Sequence, residues 1–464
     1  MPSRPYVYQL PKASRPLDLS DLRSEMKEAN TKREEAYDTS RKLQAEIIKA
    51  KTSLESSDES PIEYQELEQL VIDTVGHKSD RSRREANLSS RVEDFIQYKA
   101  FCHFLETGSL LDPSATPYAT DEEYLGGACM GLAKDLARYG LGRATARDAE
   151  SVSVAKNLVQ EILEYLLQFD FRNGPLRRRY DGTKYSLKSL ETLLYEVAVT
   201  GTSVDNGGGD GEPAEKRHKP NNDSATSSLM ANEELKALHG RMEHRDNLRE
   251  SLIKACRDGQ KAAKQAIYAL HRGDAKKAKG LLDQCESLVQ KTLLPIVNEE
   301  APLREGGSFG NLMEEYAEAN FFFAWLYGST TELPENPKTM SPPAVLLFPN
   351  EFAPLELDSA EYLGGICDLT GEIGRFAVQR ATSRDEAGVK LCLQTNKSIL
   401  IALDTIEHTP KHLNRKMGPL RQSVEKLERI LYEMSLSNAA GGRNVQTHSM
   451  EVEPESKGGA MDEE

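Results

Sequence analysis

Cysteine is scarce and scattered in this chain. Its 464 residues hold six, Cys102, Cys129, Cys256, Cys285, Cys367 and Cys392, and no two stand in a Cys-x-x-Cys pair. That argues against zinc ribbons and a disulfide framework and points to a reducing compartment. No apolar run approaches the length needed to cross a bilayer. The opening MPSRPYVYQLPKASRP lacks the apolar segment of a signal peptide. These absences predict a protein of the cytoplasm, with the nucleus as a second possible location, and no membrane partner. Hairpin punctuation is rare and no long alternating segment occurs, which excludes an extensive β-sheet. There is no P-loop, no dinucleotide fingerprint and no His-Glu-x-x-His. Positive charge is also in deficit, with 59 Lys and Arg against 74 Asp and Glu and a net charge of −15. Such a balance weighs against a protein that coats duplex DNA through its outer surface, and leaves a local basic lining open.

What is present is helical. Charged residues make up 29% and hydrophobic ones 38% of a chain long enough for two domains. Between residues 252 and 294, Leu252, Ala255, Ala262, Ala266 and Leu270 recur at helical spacing, and Leu281, Leu282, Cys285, Leu288 and Val289 repeat the stripe. Gly273 predicts a stop between the two helices, and Asp274 a cap for the second. Residues 201–231 are rich in Gly, Ser, Asn and Pro and read as a flexible linker of about thirty residues, able to reach many tens of Å. Within them Lys216-Arg217-His218-Lys219-Pro220 is either a short nuclear import signal or a solvated charge run. The ends, 1–16 and the acidic 438–464, read as tails, leaving helical domains at 17–200 and 232–437.

The two domains resemble each other. EYLGGAC at 123–129 returns as EYLGGIC at 361–367, 238 residues on; RATARD at 143–148 returns as RATSRD at 380–385, 237 residues on. LRRRYDGTKYSLKSLETLLYE from Leu176 aligns with LNRKMGPLRQSVEKLERILYE from Leu413, again 237 residues on. Three matches in one order at a nearly constant offset indicate a tandem repeat or a fusion of related domains. The drop from 238 to 237 places one extra residue in the first copy, between Cys129 and Arg143.

The candidate chemistry lies in the second copy. In LMEEYAEANFFFAWL, at 312–326, Glu315 and Glu318 share a helix face with Phe321, Phe322, Phe323 and Trp325 close behind. In EYLGGICDLTGEIGR, at 361–375, Asp368 and Glu372 share a face among Leu363, Ile366, Leu369 and Ile373. Carboxylates on apolar helices repel each other and are costly to bury unless a cation or donor satisfies them. Two such pairs can converge on a hard ion, Mg²⁺ or Mn²⁺. The bland alternative is solvated carboxylates, or carboxylates paired with Lys or Arg.

These segments resemble the translin/Trax family. EYAEA followed by aromatics, EYLGGICDLTGE, and IYALHRGDAKKAKGLL at 267–282 are similar to Trax, the translin-associated factor X. FLETGSLL at 104–111, EYLGG at 123–127 and above all LRRRYDGTKY at 176–185 are similar to translin. The likeness covers roughly residues 20–200 and 232–437. It implies an all-α chain of two seven-helix bundles that self-associates into a hollow oligomer. It also implies an Mg²⁺-dependent endoribonuclease acting on single-stranded RNA, such as silencing passenger-strand fragments or tRNA-precursor leaders. Glu315, Glu318, Asp368 and Glu372 would be its metal-binding and catalytic carboxylates, and single-stranded DNA and separate translin or Trax chains become possible partners. The family's octamer holds more translin than Trax, whereas a fused chain imposes equal numbers.

In the first copy Asp94 and Gln97 stand opposite Glu315 and Glu318. Met130 or Gly131 faces Asp368, and Lys134 or Asp135 faces Glu372. Such a set should not hold Mg²⁺, so the first copy is expected to be catalytically silent. Arg177, Arg178, Arg179 and Lys184 interleave with Tyr180 and Tyr185; Arg415, Lys416 and Arg421 sit in the second copy; Arg81, Arg83 and Arg84 form a further run. Basic groups beside aromatics suit single-stranded nucleic acid; capping or ion pairing within the fold is the competing explanation. His271 reads as a helix-end residue rather than a ligand. The rival function is a non-catalytic single-stranded nucleic-acid scaffold of translin type, which has no need for the four carboxylates together.

Overall fold

In the computed structural model, the described residues are 17, 19–56, 64–76, 87–171, 175–202, 228–305, 307–328, 342–407 and 411–439. Among them every regular element is a helix, so the chain is all-α. The helices are α1 (Ser20–Ser56), α2 (Gln65–Val75), α3 (Leu88–Thr107), α4 (Asp121–Tyr124), α5 (Leu132–Thr145), α6 (Ala149–Leu166) and α7 (Pro175–Thr202), then α8 (Ser228–Ala231), α9 (Glu233–His271), α10 (Ala275–Leu288), α11 (Leu294–Glu299), α12 (Gly307–Tyr327), α13 (Ser359–Thr382), α14 (Glu386–Asp404) and α15 (Lys411–Ala439). The Lys216–Pro220 run, most of the segment read as a linker, the N-terminal tail, the C-terminal tail beyond Ala439, and Arg81, Arg83 and Arg84 lie outside the described residues. At the edges of the linker segment, α7 continues to Thr202 and α8 begins at Ser228.

Two compact units divide the chain, and their limits fall inside helices. One comprises Ser24–Ala255 and Leu293–Phe309; the other takes the described residues within Met1–Arg23, Cys256–Thr292 and Gly310–Glu464. In the first, α5, α6 and α7 pack on one another around Phe95, Ile96, Leu125, Leu132, Val159 and Ile162, all fully buried. In the second, α13, α14 and α15 pack together, with Phe321, Phe322, Trp325, Tyr362, Ile366 and Ile373 buried. All six cysteines are buried and unpaired.

The sequence repeat reappears as repeated local structure. Thr120 with Glu123 and Asp358 with Glu361 each form a capping box, satisfying backbone donors at a helix start. Tyr124 and Tyr362 each donate their hydroxyl to a loop carbonyl, of Leu111 and Leu347. Asp148 and Asp385 cap α6 and α14, bonding the amides of Ser151 and Gly388 at 3.1 and 2.9 Å. The residue before each cap is left-handed, Arg147 at φ 59 and Arg384 at φ 57, a conformation that non-glycine residues adopt sparingly. Asp274, capping α10 through the amide of Lys277 at 3.1 Å, follows Gly273 at φ 74. That is the stop and cap expected from the sequence.

The extra residue of the first copy has a structural form. Leu125–Gly131 is π-helical, whereas the matching stretch of α13 is a continuous α-helix. A π turn holds one more residue than an α turn. Through Cys129, inside this segment, the copies match at an offset of 238, and from Arg143 onward at 237.

Candidate carboxylate site

Three helices of the second unit supply the carboxylates and one of their counter-ions. Glu314, Glu315 and Glu318 lie on α12, Asp368 and Glu372 on α13, and Lys416 on α15. The Gly364-Gly365 step lets α12 and α13 approach. A Cβ at Gly365 would lie 2.7 Å from the Ala317 Cβ and 3.1 Å from the Glu314 carbonyl oxygen, and one at Gly364 would collide with the Glu314 carboxyl.

Glu318 is the centre of this group. It is 8% exposed, and among the described residues no donor is bonded to its carboxyl. Burial pushes its pKa up to about 9, reinforced by the charges of Asp368, Glu372 and Glu315 and opposed by Lys416. Those three influences put all four carboxylates predicted from the sequence in one electrostatic neighbourhood. The other three have partners. Glu315 is ion-paired with Lys264 of α9 at 3.0 Å. Asp368 accepts from Lys416 at 2.6 Å. Glu372 is bonded to the His271 ring Nε2 and lies 3.8 Å from Arg375.

Lys416 also contacts Glu314. Burial raises the Glu314 carboxyl, with Lys416 opposing and Asp368 adding to the rise. Burial works against the Lys416 ammonium too, yet Asp368 and Glu314 outweigh it and its pKa is raised. Four hard oxygen donors suit a divalent ion, but those of Glu315, Glu372 and Asp368 are turned toward Lys264, His271 and Lys416. Among the described residues no three His, Cys, Asp or Glu side chains are placed to hold a metal ion.

The same place in the first unit is chemically different. Gln97 donates to Asp135 at 2.7 Å, so Asp135, not Lys134, faces the position of Glu372. Burial raises Asp135 and the Gln97 amide opposes the rise. Gly131 lies against this pair, since a Cβ there would be 2.7 Å from Gln97 Oε1. Asp94 is held by Arg91 of its own helix at 2.7 Å. One element is shared: Arg179 pairs with Glu93 as Lys416 pairs with Glu314, and both pairs sit beneath the first glycine of a Gly-Gly step. Lys416 reaches on to Asp368, whereas no carboxylate stands beside Arg179 at that position.

The predicted basic residues have varied surroundings. Arg177 and Lys184 both lie over the Tyr180 ring, at 5.5 and 4.6 Å, and both approach Asp181. Arg178 and Arg415 are exposed. Arg179 and Lys416 are engaged in the internal pairs above. Arg421 bonds Asp404 at 2.8 Å.

Sequence reasoning missed Glu314, Lys264 and the inward role of His271. His271 does end α9, but its side chain is 3% exposed and packs on Phe322 at 4.7 Å. Its ring Nδ1 is buried without a hydrogen-bond partner. The repeat carried a signal for Glu314: the alignment that sets Asp94 against Glu315 also sets Glu93 against Glu314, and Arg179 against Lys416.

Comparison with known proteins bears on this arrangement. Translin of Gallus gallus is 32% identical over 90 residues, covering 19% of this chain and 39% of that protein. Translin of Mus musculus is 30% identical over 134 residues, covering 26% and 58%. The chain thus spans between about two fifths and three fifths of these curated relatives. The translin-associated protein X homolog of Schizosaccharomyces pombe is 24% identical over 204 residues, covering 41% of this chain and 82% of that protein. Among solved structures, apo-NeC3PO is 20% identical, with a TM-score of 0.36, covering 43% of this chain and 96% of that one. The complex of AfC3PO with duplex RNA is 19% identical, with a TM-score of 0.35, covering 44% and 98%. Relatives of both kinds accord with a translin-like half joined to a Trax-like half. The Translin family model matches residues 19–201 and again 247–438, so the chain belongs to the translin family and carries that family's domain twice.

Proposed function

We propose that the chain is a metal-dependent endoribonuclease acting on single-stranded RNA, with its active site in the second copy. The observation that carries this reading is Glu318, buried, unpartnered and surrounded by the charges of Asp368, Glu372 and Glu315. A fold gains no stability from such a group, and its cost is relieved by a cation. Glu315, Glu318, Asp368 and Glu372 are the residues that would hold Mg²⁺, with Mn²⁺ as the alternative. A bound ion of this kind supplies charge stabilisation at a phosphoryl oxygen and acidifies water. The chain's own part is to hold the carboxylates on two helices locked by the Gly-Gly step, and to take up the proton of the attacking water on one carboxylate.

Arg177, Arg178, Lys184 and Arg415 are assigned to the RNA backbone, and the Arg81–Arg84 run is assigned with them. Arg179 and Lys416 hold carboxylates as well. Self-association into a hollow oligomer, a cytoplasmic and nuclear location, and silencing or tRNA-precursor fragments as substrates belong to the same reading.

A second reading is a nucleic-acid-binding scaffold without cleavage. It is favoured by the lack, among the described residues, of a preformed group able to hold a metal. One experiment separates them. Purified protein and its Glu318→Gln variant are incubated with labelled single-stranded RNA, with and without Mg²⁺, and binding is measured on the same preparations. We expect Mg²⁺-dependent cleavage that the substitution abolishes while binding persists. No cleavage by the parent protein would favour the scaffold, and undiminished cleavage by the variant would move the active site elsewhere.

A further inference from the structure

The exposed face of α9 within the second unit is basic from one end to the other. Arg257, Lys261, Lys264, Tyr268 and Arg272 follow one another at intervals of four, three, four and four residues. This spacing puts the first four in one stripe along the helix, which Arg272 extends in the turn just past its end. All five are exposed, and the opposite face, with Ala262, Ala263, Ala266, Ile267 and Leu270, is buried. From Cys256 to the end of the helix the sole acidic residue is Asp258, which borders the stripe beside Arg257 and Lys261 but is paired with neither. Among the described residues Arg257 and Lys261 have no carboxylate partner. Unpaired cations in sequence are unusual in a chain with a net charge of −15.

The stripe has two further features. Arg257, Gln260, Lys261, Lys264, Gln265 and Tyr268 line a shallow groove of about 430 Å³. Tyr268 is 55% exposed, and the Arg272 guanidinium covers its ring at 5.6 Å and donates to its hydroxyl at 3.2 Å. A large aromatic ring left in solvent and braced by an arginine is a ready stacking platform for a base. The stripe also leads to the candidate site, because Lys264 is ion-paired with Glu315 at 3.0 Å. It extends about 22 Å at the rise of an α-helix.

We propose that this face of α9 is a track for single-stranded RNA that feeds the carboxylate site. Arg257 and Lys261 take backbone phosphates, Tyr268 stacks on a base, and Lys264 marks where the strand meets Glu315. Charge complementarity alone would also suit an acidic polypeptide. The exposed ring and the junction with a phosphodiester-cleaving site favour RNA. The direction of the track rests on the endoribonuclease reading; its binding role does not.

The test uses the full chain. Binding of labelled oligouridine is measured across a salt series for the parent, for Arg257→Ala combined with Lys261→Ala, and for Tyr268→Ala, with folding checked by thermal melting. Loss of two phosphate contacts should lower the slope of log affinity against log salt by about 1.4 for a single strand. Loss of the ring should weaken binding about tenfold at fixed salt with the slope unchanged. Unchanged slope and affinity in these variants would overturn the proposal. So would equal weakening of oligouridine and polyglutamate by the double variant with no effect of Tyr268→Ala, which would make the face a site for acidic protein. Glu318→Gln in the same series keeps the two readings apart: if it abolishes cleavage while the track variants bind normally, the site stands and the track fails. If it cleaves normally while the track variants lose binding, the track stands and the site fails.

Discussion

Glu318 and Gln97 occupy matching places in the two copies and meet opposite surroundings. Gln97 donates to Asp135, and this pair satisfies itself with one negative charge and one donor. Glu318 has no donor and three carboxylate neighbours. An acid in place of the amide, together with Asp368 in place of Met130 and Gly131, replaces a closed polar contact with a buried carboxyl that has no donor among the described residues. The scaffold beneath is the same in both, down to the ion pair below the glycine step. The cost of burying Glu318 is therefore confined to a few side chains, while the helices that carry them are held by features common to both copies.

The largest expected effect is on stability against pH in metal-free protein. Burial raises Glu318 from 4.5 to about 9, so the folded state keeps a proton that the unfolded chain releases. Stability linked to this group is full below about 4.5 and is lost as pH rises toward 9. Between pH 5 and pH 9 the loss should be on the order of a few kcal/mol. Thermal melting at both values should show a marked fall for the parent and a flatter profile for Glu318→Gln. Parallel profiles would mean that the contrast with Gln97 has no energetic content.

A smaller effect separates the two ion pairs. Lys416→Met strands both Glu314 and Asp368, whereas Arg179→Met strands Glu93 alone. Removing one partner of a partly buried pair is destabilising, less so where water screens the charges. We expect about 2 kcal/mol for Lys416→Met and about 1 kcal/mol for Arg179→Met by urea unfolding. The reverse order would show that Lys416 is spare in the second copy and that its link to Asp368 adds nothing.

Much of this was legible in the sequence because it rests on local chemistry. Helical spacing gave the class, Gly273 with Asp274 gave a boundary, and a changing offset announced the residue that the π segment absorbs. The carboxylates could be found because two close pairs on apolar helices are costly. What they bond to was not legible. Lys264, His271 and Lys416 come from distant helices, and their reach depends on crossing geometry that side-chain periodicity does not encode. His271 shows the limit: its position at a helix end could be read, but whether its ring turns to solvent or to Glu372 is decided by Phe322 beneath it. Likewise a run of arginines says nothing of which one also faces Glu93, and that one is Arg179.

The smallest effect tests whether the Gln97–Asp135 contact is a rigid part of the first copy or a loose contact at the place that Glu318 occupies in the second. In Gly131→Ala the new methyl would lie 2.7 Å from Gln97 Oε1 and 2.9 Å from its Cδ. These are the far atoms of a flexible side chain, so Gln97 swings aside and its hydrogen bond to Asp135 is lost, at about 1 kcal/mol. Replacing glycine inside a helix by alanine returns about 0.5–1 kcal/mol through the unfolded chain. The two nearly cancel, and the melting temperature should change by no more than about 2 °C. Gly127→Ala supplies the contrast, because its methyl would lie 2.6 Å from the backbone oxygen of Glu93, which cannot swing away. If Gly131→Ala proves as damaging as Gly127→Ala, then Gln97 is fixed in place by its surroundings, and the first copy has a structural need at this position that the second meets by other means.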